Sequence, residues 1–206
     1  MTAKIKLNAA SGGGSFSLQA PSSSSNNRVF TLPDSADGSV ITSTSHKPIV
    51  NYAQTVKTDT FSQSNVAQGS PTGDAIFLDY AATASTNKLL VSCSLCVGAS
   101  NVNGTYRLSC VFVVGGVIQT AFRGDSAGGR TTVFISGSSP ESYAMANLAG
   151  SALISSPSTS STRYSYRLIH GNDNPSNVYL NRTENDNDFS YMHRAVSTIT
   201  IMEIAP

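Results

Sequence analysis

Apolar and polar side chains alternate along most of the chain beyond residue 47, and the alternation has a period of two. Tyr106, Leu108, Cys110, Phe112 and Val114 fall on one face, opposite Arg107, Ser109, Val111 and Val113. Tyr164, Tyr166, Leu168 and His170 likewise oppose Arg163, Ser165, Arg167 and Ile169. The pattern predicts strands near 48–56, 75–82, 88–97, 105–114, 117–123, 130–136, 142–149, 163–170, 177–181 and 195–204. Turn residues separate them: Gly115-Gly116 as a two-residue hairpin, a glycine-rich tip over 124–129, and Asn172-Asp173-Asn174-Pro175. No stretch carries helical periodicity. Strands this short and this regularly spaced imply an all-β fold, an antiparallel β-sandwich of jelly-roll type. Strands 108–114 and 196–204 have apolar residues on both faces, so one sheet is expected to be covered by another subunit.

Residues 1–46 read differently. They are poor in large apolar side chains and rich in Ser, Gly, Asn and Pro, with short extended pieces at 14–20 and 28–32. Alone they bury no core, and the alternation of Phe16, Leu18 and Val29 suits an arm that orders against a partner. Two domains follow: an extended N-terminal attachment arm, 1–46, and a sandwich domain, 47–206.

Composition narrows the function classes. Charged residues make up 12% of the 206, against about 25% in an ordinary domain. The 34 Ser, 19 Thr and 15 Asn fill about a third of the chain, which disfavours helical bundles and coiled coils. Net charge is +1 and no two Lys or Arg residues are adjacent, so nucleic acid is not an expected partner. The longest apolar runs, such as Val111–Val114, are far below the ~20 residues of a membrane span, and no membrane insertion is expected. Met1-Thr2-Ala3-Lys4-Ile5-Lys6 has no apolar stretch after its lysines, so no signal peptide is expected and synthesis in a host cytoplasm is.

Candidate chemistry is sparse. Cys93 and Cys96 have C-x-x-C spacing, with Cys110 beyond, but they lie in one continuous strand, where residues three apart point to opposite faces. Small buried thiols are the expectation, with no metal and no cofactor. Gly124-Asp125-Ser126-Ala127-Gly128-Gly129 approximates the loop around a serine-protease nucleophile, but Ala127 is inserted and no histidine lies in a base motif. No catalytic residue is assigned and no enzyme is expected. Glu184, Asp186 and Asp188, near His193, form an acidic, amide-rich loop whose oxygens could ligate Ca²⁺, but it lacks the glycine and terminal glutamate of an EF-hand calcium loop, and a solvated loop is the expectation. Asn103-Gly104-Thr105 and Asn181-Arg182-Thr183 are formal glycosylation sequons. Tyrosines remain as binding candidates: Tyr143, Tyr164, Tyr166, Tyr179 and Tyr191, several beside Asn and Asp, where rings stack on sugars and amides bond their hydroxyls.

Gly12-Gly13-Gly14-Ser15-Phe16-Ser17-Leu18-Gln19-Ala20-Pro21, the Ser/Asn spacer, Arg28-Val29-Phe30-Thr31-Leu32-Pro33-Asp34 and Ala36-Asp37-Gly38 occur here in that order. This order resembles tail-fibre and other virion structural proteins of tailed bacteriophages, notably phages of cyanobacteria and marine bacteria. Gln54-Thr55-Val56-Lys57-Thr58-Asp59-Thr60-Phe61-Ser62 is similar to the opening of the β-rich domain that often follows, and 196–205 to its closing strand. The resemblance implies a non-enzymatic homotrimer located in the virion. Its arm would bind another virion protein, of tail or capsid, through Phe16, Leu18, Gln19, Pro21, Val29, Phe30 and Leu32. The knob would contact the host surface, including surface glycan, through Tyr164, Asn172, Asp173, Asn174, Tyr179 and Tyr191. The alternative is a capsid decoration or cement protein, a head fibre that stabilises the shell. A polysaccharide depolymerase is a third reading, for which paired carboxylates in a groove are lacking.

Overall fold

The computed structural model describes residues 4–8, 10–19, 23, 25, 49–100, 106–126, 128–139, 141–171, 175–190 and 192–206. The chain forms two compact units, residues 1–41 and 42–206.

In the first unit, β1 (Lys4–Asn8) and β2 (Ser15–Gln19) pair antiparallel, with Ile5 opposite Leu18 and Leu7 opposite Phe16. Gly12 and Gly13, at φ +84° and +71°, supply the left-handed turn between them. The piece expected as extended at 14–20 is therefore one arm of a hairpin whose other half, 4–8, the apolar pattern did not announce. Ile5 and Leu7 are 64% and 59% exposed. Pro21, Val29, Phe30 and Leu32 lie outside the described residues.

The second unit is an all-β sandwich of two antiparallel sheets. Its strands are β3 (Ile49–Lys57), β4 (Phe61–Val66), β5 (Asp74–Tyr80), β6 (Lys88–Ala99), β7 (Tyr106–Val114), β8 (Val117–Ile118), β9 (Ile135–Ser139), β10 (Ala146–Ile154), β11 (Thr162–His170), β12 (Ser176–Leu180) and β13 (Ser197–Ile204). One sheet has the order β3-β13-β6-β12-β4, with β10 on the other side of β6; the second has β5-β11-β7-β8, with β9 also on β7. Gly115 and Gly116 both have positive φ, +56° and +83°, as the two-residue β7–β8 hairpin requires.

The core lies between the sheets. Leu89, Val91, Cys93, Leu95 and Val97 of β6, with Ile199 and Ile201 of β13, meet Leu108, Cys110 and Phe112 of β7 and Tyr164, Tyr166 and Leu168 of β11. Phe122 and Phe134, from the connection after β8, close on Phe112 and Tyr166 with ring centroids 5.8 Å apart in the pairs Phe112–Phe122 and Phe134–Tyr166. Cys93 is buried and Cys96 is only half-buried, so the C-x-x-C pair is split across β6. The Cys93 thiol meets Cys110 from the facing sheet; that hydrogen bond and burial push the Cys110 thiol up, so it stays protonated.

The second apolar face of β7 needs no other subunit. Val111, Val113 and Ile169 are buried beneath Ile118 and Val133 of the same chain. The expected strand at 117–123 is reduced to β8, followed by a short 3-10 turn over Thr120–Phe122, and that at 130–136 begins only at Ile135, where β9 follows an irregular run.

Gly98 of β6 pairs with Tyr179 of β12. A Cβ there would lie 2.5 Å from the carbonyl oxygen of Arg182 and 3.4 Å from the Thr183 Cα, both backbone. Gly98→Ala is expected to cost about 2 kcal/mol as overpacking, read from the denaturant midpoint. An unchanged midpoint would mean that the 181–183 segment moves aside freely.

Candidate functional site

The outer faces of the two sheets differ in chemistry. On the β5/β11 face, Asp79 accepts two hydrogen bonds from Arg163, at 3.0 and 3.1 Å, and that pairing holds its carboxyl below the usual range. Arg163 also lies over the Phe77 ring at 3.9 Å. Asp74 accepts from Ser165 at 2.9 Å and from Arg167 at 2.8 Å. This is a solvated face that carries matched charges.

The outer face of β3-β13-β6-β10 holds none. Cross-strand register lines up three rows: Tyr52–Met202–Leu90–Leu153, Gln54–Thr200–Ser92–Ser151 and Val56–Thr198–Ser94–Ala149. Ile204 and Lys88 begin the next row, so charge returns only at the margin. Tyr52, Val56 and Leu153 are 55%, 52% and 45% exposed. A flat surface of Ser, Thr, Ala and a few large apolar side chains has little to repel a second protein and nothing to attract a distant ion.

At one end of the sandwich, loops 141–145 and 181–196 are tied together. Glu184 and Asn185 donate backbone N–H groups to the Ser142 carbonyl, and the Asn185 amide donates to the Ser142 hydroxyl. Asp186 accepts from Arg194 at 2.5 Å and lies 3.5 Å from Arg182, whose guanidinium stacks on Tyr179 at 4.6 Å. The acidic loop thus turns Asp186 toward two cations. Among the described residues no group of three or more His, Cys, Asp or Glu is placed to hold a metal.

Two tyrosines expected to contact the host surface are corrected by the packing. Tyr164 is 1% exposed, because its inward register position places it in the core with Tyr166 and Leu168. Tyr179 is 9% exposed beneath the Arg182 guanidinium. Asn172, Asp173, Asn174 and Tyr191 lie outside the described residues. The rings exposed at this loop end are Tyr143, at 46%, and Phe189, at 52%. Phe189 follows Asp188 in a polar run, which left the alternation pattern no reason to single it out. Phe16, Leu18 and Gln19 are placed only by their pairing in β2.

Asn181, part of a sequon, is fully buried, and its side-chain amide donates to the Lys57 and Asp59 carbonyls at 2.7 and 3.0 Å. That nitrogen is unavailable to a glycan in the folded chain. His170 is buried with Nε2 against the Val66 carbonyl, and His193 lies in the acidic loop.

No family model matches the chain, and no curated protein matches it. Among solved structures, the crystal structure of the infectious bursal disease virus VP2 subviral particle is 11% identical, with a TM-score of 0.32 over 75% of this chain and 38% of that one. The structure of the infectious bursal disease virus Gx strain is 10% identical, with a TM-score of 0.35 over 97% of this chain and 50% of that one, so the chain spans half or less of these two structures.

Proposed function

We propose that this chain is a structural component of a bacteriophage virion: a short homotrimeric fibre or knob, joined to the virion through its N-terminal hairpin and touching the host surface with its loop end. The charge-free outer face of β3-β13-β6-β10 carries the reading. A chain whose other sheet carries Asp74, Asp79, Arg107, Arg163 and Arg167 on its outer face leaves these four strands bare, which suits burial against copies of itself around a three-fold axis. The hairpin supports the anchoring role. A two-stranded ribbon is marginal on its own, and the exposed Ile5 and Leu7 suit docking against a partner. The motif order in residues 12–38 points the same way. Nothing in this reading asks the chain to catalyse a reaction or to hold a cofactor.

Native mass measurement of the full chain is expected to give a trimer. Ser92→Arg, which sets a cation in the middle row of the bare face, is expected to give monomers with an unchanged circular dichroism spectrum. A wild-type monomer at micromolar concentration would overturn the trimer. Labelling of virions is expected to find a few copies at the tail. Tens to hundreds of copies on the shell would make the protein a capsid decoration, and absence from virions would end the proposal.

A further inference from the structure

Four arginines of the sandwich, Arg163, Arg167, Arg182 and Arg194, each meet an aspartate. Arg123, whose buried Nε has no hydrogen-bond partner, meets none among the described residues, and neither do Arg107 of β7 and Arg130 of the connection before β9. Among the described residues neither the Arg107 nor the Arg130 guanidinium has a carboxylate or a hydrogen-bond acceptor, and both line a cavity of about 420 Å³. Its floor is the outer face of β7, β9 and β11, and its wall is the 129–133 segment. Ser109 and Ser136 sit side by side on that floor, with the Ser109 hydroxyl donating to Ser136 at 3.0 Å. Thr131 adds a hydroxyl from the wall, while Val133 and Ile169 give an apolar patch. Paired strands set the floor, so Arg107, Ser109 and Ser136 are held in place before any ligand arrives.

We propose that this cavity binds a carboxylate-bearing saccharide. Two guanidinium groups with no protein anion among the described residues are matched by a carboxylate, which each can grip through two N–H donors. The volume lies in the small-molecule range of about 300–1,000 Å³, well above what a bare anion fills. Hydroxyl side chains answer sugar hydroxyls, and the apolar patch answers the C–H face of a ring. The inference rests on the host-contact part of the proposed function for its biological sense, since it names acidic surface glycan as the ligand. Binding itself requires neither the trimer nor the virion.

The test is titration of the full chain with sodium glucuronate, glucose and sodium sulfate at one ionic strength, followed by calorimetry or amide chemical shifts. Glucuronate is expected to bind at least tenfold more tightly than glucose and than sulfate. Arg107→Gln and Arg130→Gln are each expected to weaken it tenfold or more, with melting temperature unchanged. Ser92→Arg is expected to leave it unaltered, so a failed trimer reading would not be mistaken for a failed pocket. Glucuronate no tighter than glucose, or arginine variants that bind like the parent, would overturn the proposal. Sulfate as tight as glucuronate would overturn the saccharide and leave an anion site.

Discussion

Glu203→Leu is expected to destabilise the sandwich by about 4 kcal/mol, among the largest effects a single substitution can have in this chain. Glu203 is fully buried on the inner face of β13, an apolar register position shared with Ile199 and Ile201. Its Oε2 accepts from the Tyr80 hydroxyl at 2.6 Å. Its Oε1 accepts from the Thr83 N–H at 2.8 Å, the Thr83 hydroxyl at 2.7 Å and the Asn87 amide at 2.6 Å. Those donors belong to the end of β5 and to the connection that carries the chain from one sheet to β6 in the other. A leucine fills the space and strands all four donors, and an unpaired buried donor costs about 1–3 kcal/mol.

The same carboxylate gives the fold a pH dependence. Burial alone would raise its pKa; the hydrogen bonds from Tyr80, Asn87 and Thr83 outweigh burial and bring it to about 2, against 4.5 for a free glutamate. The stabilisation is therefore fully present above pH 4.5 and is lost as pH falls from there toward 2. Its size is about 3 kcal/mol at one pKa unit per 1.4 kcal/mol. Asp59 and Asp79 are also held low, by Lys57 and Arg163, but they stand in solvent, where such pairs are worth little. Urea unfolding at pH 7 and pH 3 checks the assignment. Glu203→Gln keeps the shape and drops the charge, so it should start about 2 kcal/mol lower at pH 7 and lose much less on acidification. An acid slope equal to the parent's would show that another group carries it.

The sequence pattern already held the strands with one buried face, such as β7 and β11, because a period of two survives wherever one side is core. Tyr164 shows how such a pattern should be used: its parity with Tyr166 and Leu168 put it inside, and its hydroxyl was no reason to bring it out. β4 escaped because its large apolar residues, Phe61 and Val66, stand five apart, which in a regular strand sets them on opposite faces. A left-handed Asn65, φ +52°, and a register shift between Ser176 and Val178 restore the alignment. Phe134 suggested a strand over 130–136, yet it packs into the core from irregular chain, and β9 itself is built of Ser and Gly around Ile135. The cover over Val111 and Val113 comes from single apolar residues, Ile118 and Val133, which flank the glycine-rich run and give no periodic signal. The bare outer face was half legible. Thr198, Thr200 and Met202 were visible as a second face of the last strand, but the absence of charge across four strands appears only when register brings β3, β6 and β10 alongside.

Asn181→Ala is expected to cost about 3–4 kcal/mol, and the reason lies in how the six-stranded sheet is assembled. β12 and β13 lie end to end along one side of β6, pairing with residues 97–99 and 88–94. β3 and β4 follow as the next layer, one on β13 and one on β12, joined by the 58–60 corner. Asn181 fills the gap at this junction. Its N–H donates to the Cys96 carbonyl at 2.8 Å, its amide nitrogen donates to the Lys57 and Asp59 carbonyls on either side of the corner, and its Oδ1 accepts from the Ser197 hydroxyl at 2.6 Å. Ser197 in turn accepts from the Cys96 N–H at 3.0 Å. The backbone at Asn181 is left-handed, φ +63°, a conformation asparagine tolerates and alanine pays for by about 1 kcal/mol. The two contributions separate by substitution. Asn181→Gly removes the hydrogen bonds but not the φ tolerance, so it should be about 1 kcal/mol more stable than the alanine variant. Asn181→Asp keeps the φ tolerance and sets a carboxylate oxygen against two carbonyls, so it should fall at least as low as alanine. Denaturant unfolding of the three variants gives the order. Equal stability of glycine and alanine would remove the backbone contribution, and an aspartate variant as stable as the parent would mean that the Lys57 and Asp59 carbonyls are satisfied from elsewhere.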